Sequence, residues 1–92
     1  MLDAATRAQL LDAPAAPQLG PGVGYGLGVM VASGPLGPTW GHSGFMPGYM
    51  TEMLHFPEAG VTVAVLVNTS EAAALPTPLS KLALELARIA AE

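Results

Sequence analysis

Tyr49-Met50-Thr51-Glu52-Met53-Leu54-His55-Phe56-Pro57-Glu58-Ala59-Gly60-Val61-Thr62-Val63-Ala64-Val65-Leu66-Val67-Asn68 is the stretch that decides the fold. Its two ends are rich in aromatic and branched residues, and Pro57-Glu58-Ala59-Gly60 between them is a compact turn. The segment therefore predicts two strands, 49–56 and 61–68, folded back as an antiparallel hairpin. In the second, Val61, Val63, Val65 and Val67 alternate with Thr62, Ala64 and Leu66, so both faces are apolar. Such a strand is expected to be central and covered, with something packed on each side.

Upstream, residues 24–32 alternate glycine with larger residues before turning β-rich, which suits a strand with a neighbour pressed against its glycine side. Ser33-Gly34-Pro35-Leu36-Gly37-Pro38 ends that strand. A further strand over 39–43 is broken by Gly44-Phe45-Met46-Pro47-Gly48. Trp40 and Met46 are assigned to ordinary sheet packing.

The two ends of the chain read as helices. Asp3 is a suitable N-cap for a helix over 3–13, since Ala4, Ala5, Arg7, Ala8, Gln9, Leu10 and Leu11 all favour that state. Residues 13–22 are broken by proline and glycine and read as an irregular surface connection. Near the C-terminus, Thr77 as N-cap and Pro78 at the first helical position open a helix over 78–91. Leu79, Leu82, Leu86 and Ile89 recur there at spacings of three and four. Glu85 and Arg88 on the polar side are placed to pair weakly.

The order is helix, three or four antiparallel strands, helix, with no crossover helix to make a sheet parallel. The fold class is α+β, an antiparallel sheet of three to four strands with the N- and C-terminal helices packed on it, in one domain spanning 1–92. A chain of 92 residues buries a modest share of its surface. About half of it is apolar and only 11% charged, too hydrophobic for disorder and sparsely charged for a self-sufficient surface.

The net charge of −4, with Arg7, Lys81 and Arg88 the only fixed cations, leaves no basic stripe for a phosphate backbone. No nucleic-acid partner is expected. Absent cysteine, disulfides and thiolate sites are excluded, but no compartment follows. No run approaches the roughly 20 apolar residues of a membrane span. The N-terminus lacks the basic start and apolar core of a secretion signal.

The densest polar cluster is Trp40-Gly41-His42-Ser43-Gly44-Phe45-Met46-Pro47-Gly48-Tyr49, where small residues admit a ligand to the backbone and His42 and Ser43 supply polar handles. The residues alone fit either a site or an ordinary strand-to-turn transition. A nucleophile elbow, Gly-x-Ser-x-Gly, would need glycine at Phe45, and His55 and Glu58 beside a hairpin turn do not complete a triad. The glycines from Gly20 to Gly28 never form Gly-x-Gly-x-x-Gly, so no nucleotide cofactor is expected. His42 and His55 lack a third ligand in register, so no metal is expected, and His55 is read as a plain strand residue.

Taken together, Tyr25-Gly26-Leu27-Gly28, Gly41-His42-Ser43-Gly44, Pro47-Gly48-Tyr49, the turn around Pro57 and Gly60, and the valine strand ending at Asn68 resemble the C-terminal part of the serine β-lactamase-related family. That family includes class C β-lactamases, D-alanyl-D-alanine carboxypeptidases and β-lactamase-fold esterases. The order of the pieces matches as well as their residue types. Gly41-His42-Ser43-Gly44 looks like the family's third motif, Lys-Thr-Gly in many members and His-x-Gly in others.

The resemblance implies a partial β-lactamase-like fold, and an enzyme whose serine acylates on a β-lactam, D-amino peptide or ester. It also implies site roles. His42 would stand where many members carry lysine, its charge dependent on pH as a histidine's is. Ser43 would bind a substrate carboxylate or carbonyl, and Gly44 would permit close approach. The Phe45 backbone N–H would be an oxyanion-hole donor, a group worth about 3 to 4 kcal/mol in a transition state.

The family's Ser-x-x-Lys is missing, because the only lysine is Lys81 and Pro78 stands where the serine should. Tyr-x-Asn is missing too, since Leu27 follows Tyr25 at that spacing and Thr51 follows Tyr49. The expectation is a substrate-binding segment, inactive alone, whose partners are a missing N-terminal catalytic segment or further copies of itself. The complete enzyme would take a small-molecule or peptide substrate. A non-catalytic module that binds along an open sheet edge is the alternative.

Overall fold

The computed structural model describes residues 2–92. Asp3 caps α1 (Ala4–Leu11), its carboxylate accepting the Thr6 N–H at 2.8 Å. That bond holds the Asp3 carboxyl below the ordinary carboxylate range. The helix stops at Leu11 rather than reaching residue 13, and Asp12 is already extended. Pro14 explains the early stop, because the residue before a proline is driven out of the helical region. The connection that follows is irregular but tied down: Ala16 is buried, and its N–H donates to the Val23 carbonyl at 2.8 Å.

Five antiparallel strands form a meander in the order β1-β2-β3-β4-β5. They are β1 (Gly24–Tyr25), β2 (Met30–Gly34), β3 (Gly37–Met46), β4 (Tyr49–Phe56) and β5 (Val61–Val67). The strand beyond the expected three or four arises because residues 24–32 are not one strand. They reverse between Gly26 and Val29, the Gly26 N–H donating to the Val29 carbonyl at 2.7 Å, so that Gly24 pairs with Val31 and Tyr25 with Met30. Gly28, with φ of 80°, supplies the left-handed residue this reversal needs. The close neighbour expected on the glycine side is the end of α1, whose Leu10 carbonyl accepts the Leu27 N–H at 3.0 Å.

β3 is ten residues long, running past the expected break at Gly44 to Met46. Only Pro47 and Gly48 turn the chain, with Met46 paired to Tyr49 across them. Proline followed by a glycine of positive φ is the pattern of a type II turn, which closes a hairpin in two residues. Strand alternation then continues through His42, Ser43, Gly44 and Phe45, so they fall on alternate faces.

α2 (Leu79–Ala91) lies across one face of the sheet. Its start is one residue later than expected, with Pro78 at the N-cap and no side-chain cap from Thr77. The buried stripe also differs from the Leu79, Leu82, Leu86, Ile89 pattern. Ala83 and Ala87 are fully buried, whereas Leu86 and Ile89 are exposed. Two alanines one turn apart let the helix approach the pleated sheet closely, and close approach governs which stripe faces inward. They pack with Phe56 and Val63, flanked by Leu36, Leu54, Val61 and Leu84. Phe56, only 1% exposed, is the largest buried side chain, and burying a residue of that size contributes about 1.5 to 3 kcal/mol. Arg88 and Glu85 pair at 2.8 Å on the solvent side, as their spacing suggests.

The placement of β5 corrects the expectation of a covered central strand. It ends the sheet, hydrogen-bonded only to β4 among the described residues. Val61, Val63 and Val65 meet the core under α2, while Leu66 on the opposite face is 74% exposed. Met53 and Tyr49 are exposed on that same open face, and so is Met46, which does not pack as expected. Trp40 does pack, tilted against His55 with ring centroids 5.6 Å apart.

Candidate functional site

The site rests on an unequal pairing along β3. On one side β3 is paired with β4 from Trp40–His55 to Met46–Tyr49, but on the other β2 reaches only as far as Met30, opposite Gly41. From His42 to Met46 the strand thus has no strand neighbour on its outer edge among the described residues, and every residue of that segment is exposed. Phe45 is 65% exposed although it is a large apolar side chain. The four residues singled out from sequence are consecutive on this open segment.

Gly41 and Gly44 are fixed by β4 before any ligand is considered. A Cβ on Gly41 would run into the Met53 carbonyl, a backbone atom that cannot step aside, and one on Gly44 would meet the Thr51 hydroxyl. Gly44 therefore has a packing reason beside the expected one of admitting a substrate.

His42 turns toward β1. Its Nδ1 lies 2.6 Å from the Ser43 carbonyl oxygen and its Nε2 3.0 Å from the Tyr25 hydroxyl. A carbonyl oxygen only accepts, so Nδ1 carries the hydrogen, and in the neutral ring Nε2 accepts from the Tyr25 O–H. The Tyr25 and His42 rings meet edge to face, with centroids 5.8 Å apart. Both imidazole nitrogens are therefore occupied within the chain. Tyr25 was read from sequence as part of a strand motif and not as a site residue; its link to His42 crosses the short β1-β2 hairpin.

Ser43 is the cross-strand partner of Glu52. Directly opposed residues share a face, and here it is the face under α2. The hydroxyl partner of Ser43 is the Met30 sulfur at 3.8 Å, which is no base. Burial raises the Glu52 carboxyl above the ordinary glutamate range, with the nearby His42 acting weakly the other way. Glu52 was missed from sequence, although counting outward from the Pro47-Gly48 turn places it opposite Ser43.

Ser43, Gly44, Phe45 and Glu52 line an open cavity of about 500 Å³ between the end of the β3-β4 hairpin and the start of α2, bordered on the far side by Leu75 and Pro78. That size suits a small organic ligand. His42 is not part of its lining. Among the described residues no three histidine or acidic side chains gather as a metal site, and His55 is bound to the Thr62 hydroxyl at 2.8 Å. Among the described residues no helix is long and apolar enough to cross a membrane.

A family model described as Beta-lactamase matches residues 1–88. The chain belongs to the beta-lactamase family. The resemblance read from Tyr25-Gly26-Leu27-Gly28 and Gly41-His42-Ser43-Gly44 is therefore correct, and a hydrolase-related α+β fold comes with it. Comparison with curated proteins finds no match. Within this beta-lactamase-family chain, Gly41-His42-Ser43-Gly44 leads into the open half of β3.

Proposed function

We propose that this chain supplies the substrate-binding wall of a serine hydrolase that cleaves β-lactams, D-amino peptides or esters through an acyl-enzyme. The observation that carries the proposal is the open edge of β3 from His42 to Met46, bordered by a cavity of ligand size. An antiparallel ladder sends successive N–H and C=O groups to alternate sides. With Met46 and Tyr49 closing a two-residue turn toward β4, the Ser43 and Phe45 backbone groups are directed to the open side. This supports Phe45 N–H as an oxyanion donor and Ser43 as a contact for a substrate carbonyl, with Gly44 between them. His42 serves by holding the Ser43 carbonyl and Tyr25 in place.

In this reading, 1–92 is a single domain, the C-terminal part of the β-lactamase-like unit, and its partner is a segment carrying Ser-x-x-Lys and Tyr-x-Asn. No such motifs occur in the 92 residues, and among the described residues the Ser43 hydroxyl is bonded to the Met30 sulfur and to no base. The isolated chain is inactive. A chromogenic β-lactam and a short-chain nitrophenyl ester test this: no turnover is expected from the chain alone, with turnover on adding the motif-bearing segment. Turnover by the chain alone, abolished by Ser43→Ala, would overturn it.

A further inference from the structure

The cavity beside Ser43 has a definite charge character. Phe45, Met50, Leu75 and Pro78 give it apolar walls, Ser43 gives a hydroxyl, and Glu52 is the only formally charged side chain in its lining. None of the three fixed cations reaches it: Lys81 borders a different cavity, Arg88 is paired with Glu85, and Arg7 lies on α1. A second cavity, of about 320 Å³, shares Ser43, Glu52 and Ser80 with the first, so Glu52 stands at the junction of both. The carboxyl is half-buried and has no hydrogen-bond partner among the described residues.

We infer that this cavity receives a group combining an apolar body with an ammonium, held by Glu52, and disfavours a carboxylate. This rests on the reading of the Ser43–Phe45 segment as a substrate-binding wall, and it narrows the substrate to an aminoacyl-type ester or amide. Bringing a carboxylate beside the half-buried Glu52 would place two like charges together, whereas an ammonium would satisfy an unpaired acceptor. One feature of the cavity acts in the opposite sense: Leu79 and Ser80 of the α2 first turn also border it. A helix N-terminus carries about half an elementary charge, against the full charge of an ionised carboxyl. His42, the group near enough to influence Glu52, is engaged by Tyr25 and the Ser43 carbonyl.

Three probes that share a phenylethyl body and differ in their head group separate the possibilities: phenethylammonium, 3-phenylpropionamide and 3-phenylpropionate. Each is titrated into the 92-residue chain at neutral pH and followed by backbone amide shifts. The ammonium is expected to bind about tenfold more tightly than the carboxylate, the worth of one charge-assisted contact, with shifts centred on Ser43, Phe45 and Glu52. Glu52→Gln should remove that preference and leave the neutral amide unchanged, its amide spectrum reporting that the fold is intact. Equal binding of ammonium and carboxylate, tighter carboxylate binding, or shifts lying elsewhere would overturn the inference. Because binding is read without turnover, failure here leaves the hydrolase proposal standing. Conversely, a preference for the ammonium with no turnover in the completed enzyme would count only against the hydrolase.

Discussion

The Tyr25 hydroxyl sits 3.0 Å from Nε2 of His42, joining the shortest strand of the sheet to the first residue of the open half of β3. Since Nδ1 is bonded to the Ser43 carbonyl, this contact completes a chain from Tyr25 through the imidazole to the backbone of Ser43. A positively charged lysine at that position would offer several donors and no acceptor, so it could not accept from a tyrosine hydroxyl. Histidine makes the arrangement possible.

Replacing Tyr25 with phenylalanine keeps the ring and its edge-to-face packing but removes the hydroxyl. The expected result is a change in the His42 Nε2 nitrogen shift toward that of an unbonded acceptor, with the sheet intact. Nitrogen-15 spectra of the imidazole measure it directly. An unchanged His42 spectrum in Tyr25→Phe would show that the contact does not hold the ring.

Glu52 gives a pH-dependent stability whose sign follows from its burial. Its carboxyl is raised in the folded chain by desolvation, so folding favours the protonated form. Below the ordinary glutamate value of about 4.3 the group is protonated in both states, and its favourable contribution is fully present. As pH climbs through the raised folded value, that contribution is lost. Glu52→Gln should therefore stabilise the chain at pH 7 and make little difference near pH 3. Asp3 acts in the opposite direction: its lowered carboxyl contributes stability above the ordinary range that disappears as pH falls. Urea denaturation of wild type and of Glu52→Gln at the two pH values checks the sign. A destabilised variant at pH 7 would contradict it.

Core and strand contacts set a scale for the remaining substitutions. Phe56→Ala removes the one large side chain sealed between sheet and α2 and should cost about 3 to 5 kcal/mol. Domains of this kind have a total stability of about 5 to 15 kcal/mol, so the substitution should remove a large share of the margin and lower the melting temperature markedly. Gly41→Ala presses a methyl into the Met53 carbonyl and should cost about 1 to 3 kcal/mol, as overpacking does. Thermal melts followed by circular dichroism rank the two; a Gly41→Ala melt matching wild type would show that β3 and β4 can separate freely.

The parts of this fold legible in the sequence are those governed by local pattern. The Tyr49–Val67 hairpin follows from alternation around Pro57 and Gly60, and Asp3 as a cap from its side-chain chemistry. Membership of the family is legible because the residue types and order of Tyr25-Gly26-Leu27-Gly28 and Gly41-His42-Ser43-Gly44 are shared with it. What escaped depends on geometry across strands. The β1-β2 reversal hinges on the backbone at Gly28, Tyr25 meets His42 across that hairpin, and Ala83 and Ala87 face the sheet because small residues permit closeness, although hydrophobicity favours the leucines. Glu52 is the instructive case: its position opposite Ser43 is fixed by the two-residue Pro47-Gly48 turn, so register counting finds it where motif matching does not.

The open face of the sheet leads to a prediction about association. Met46, Tyr49, Met53 and Leu66 are all more than half exposed, and the β5 edge beside Leu66 presents unpaired backbone groups among the described residues. Strand β5 also carries no charge and no proline, the devices by which sheet edges usually discourage pairing. With only 11% of the chain charged, electrostatic repulsion between copies is weak. The isolated chain should therefore form dimers or larger species at micromolar concentration. Because Leu66 is the most exposed of the four, Leu66→Lys should shift the population toward monomer at little cost to folding. Thr62→Lys, on the same face of β5, should do the same. Static light scattering across a dilution series measures both. A wild-type chain that scatters as a clean monomer throughout would show that this face is tolerated in water without a partner.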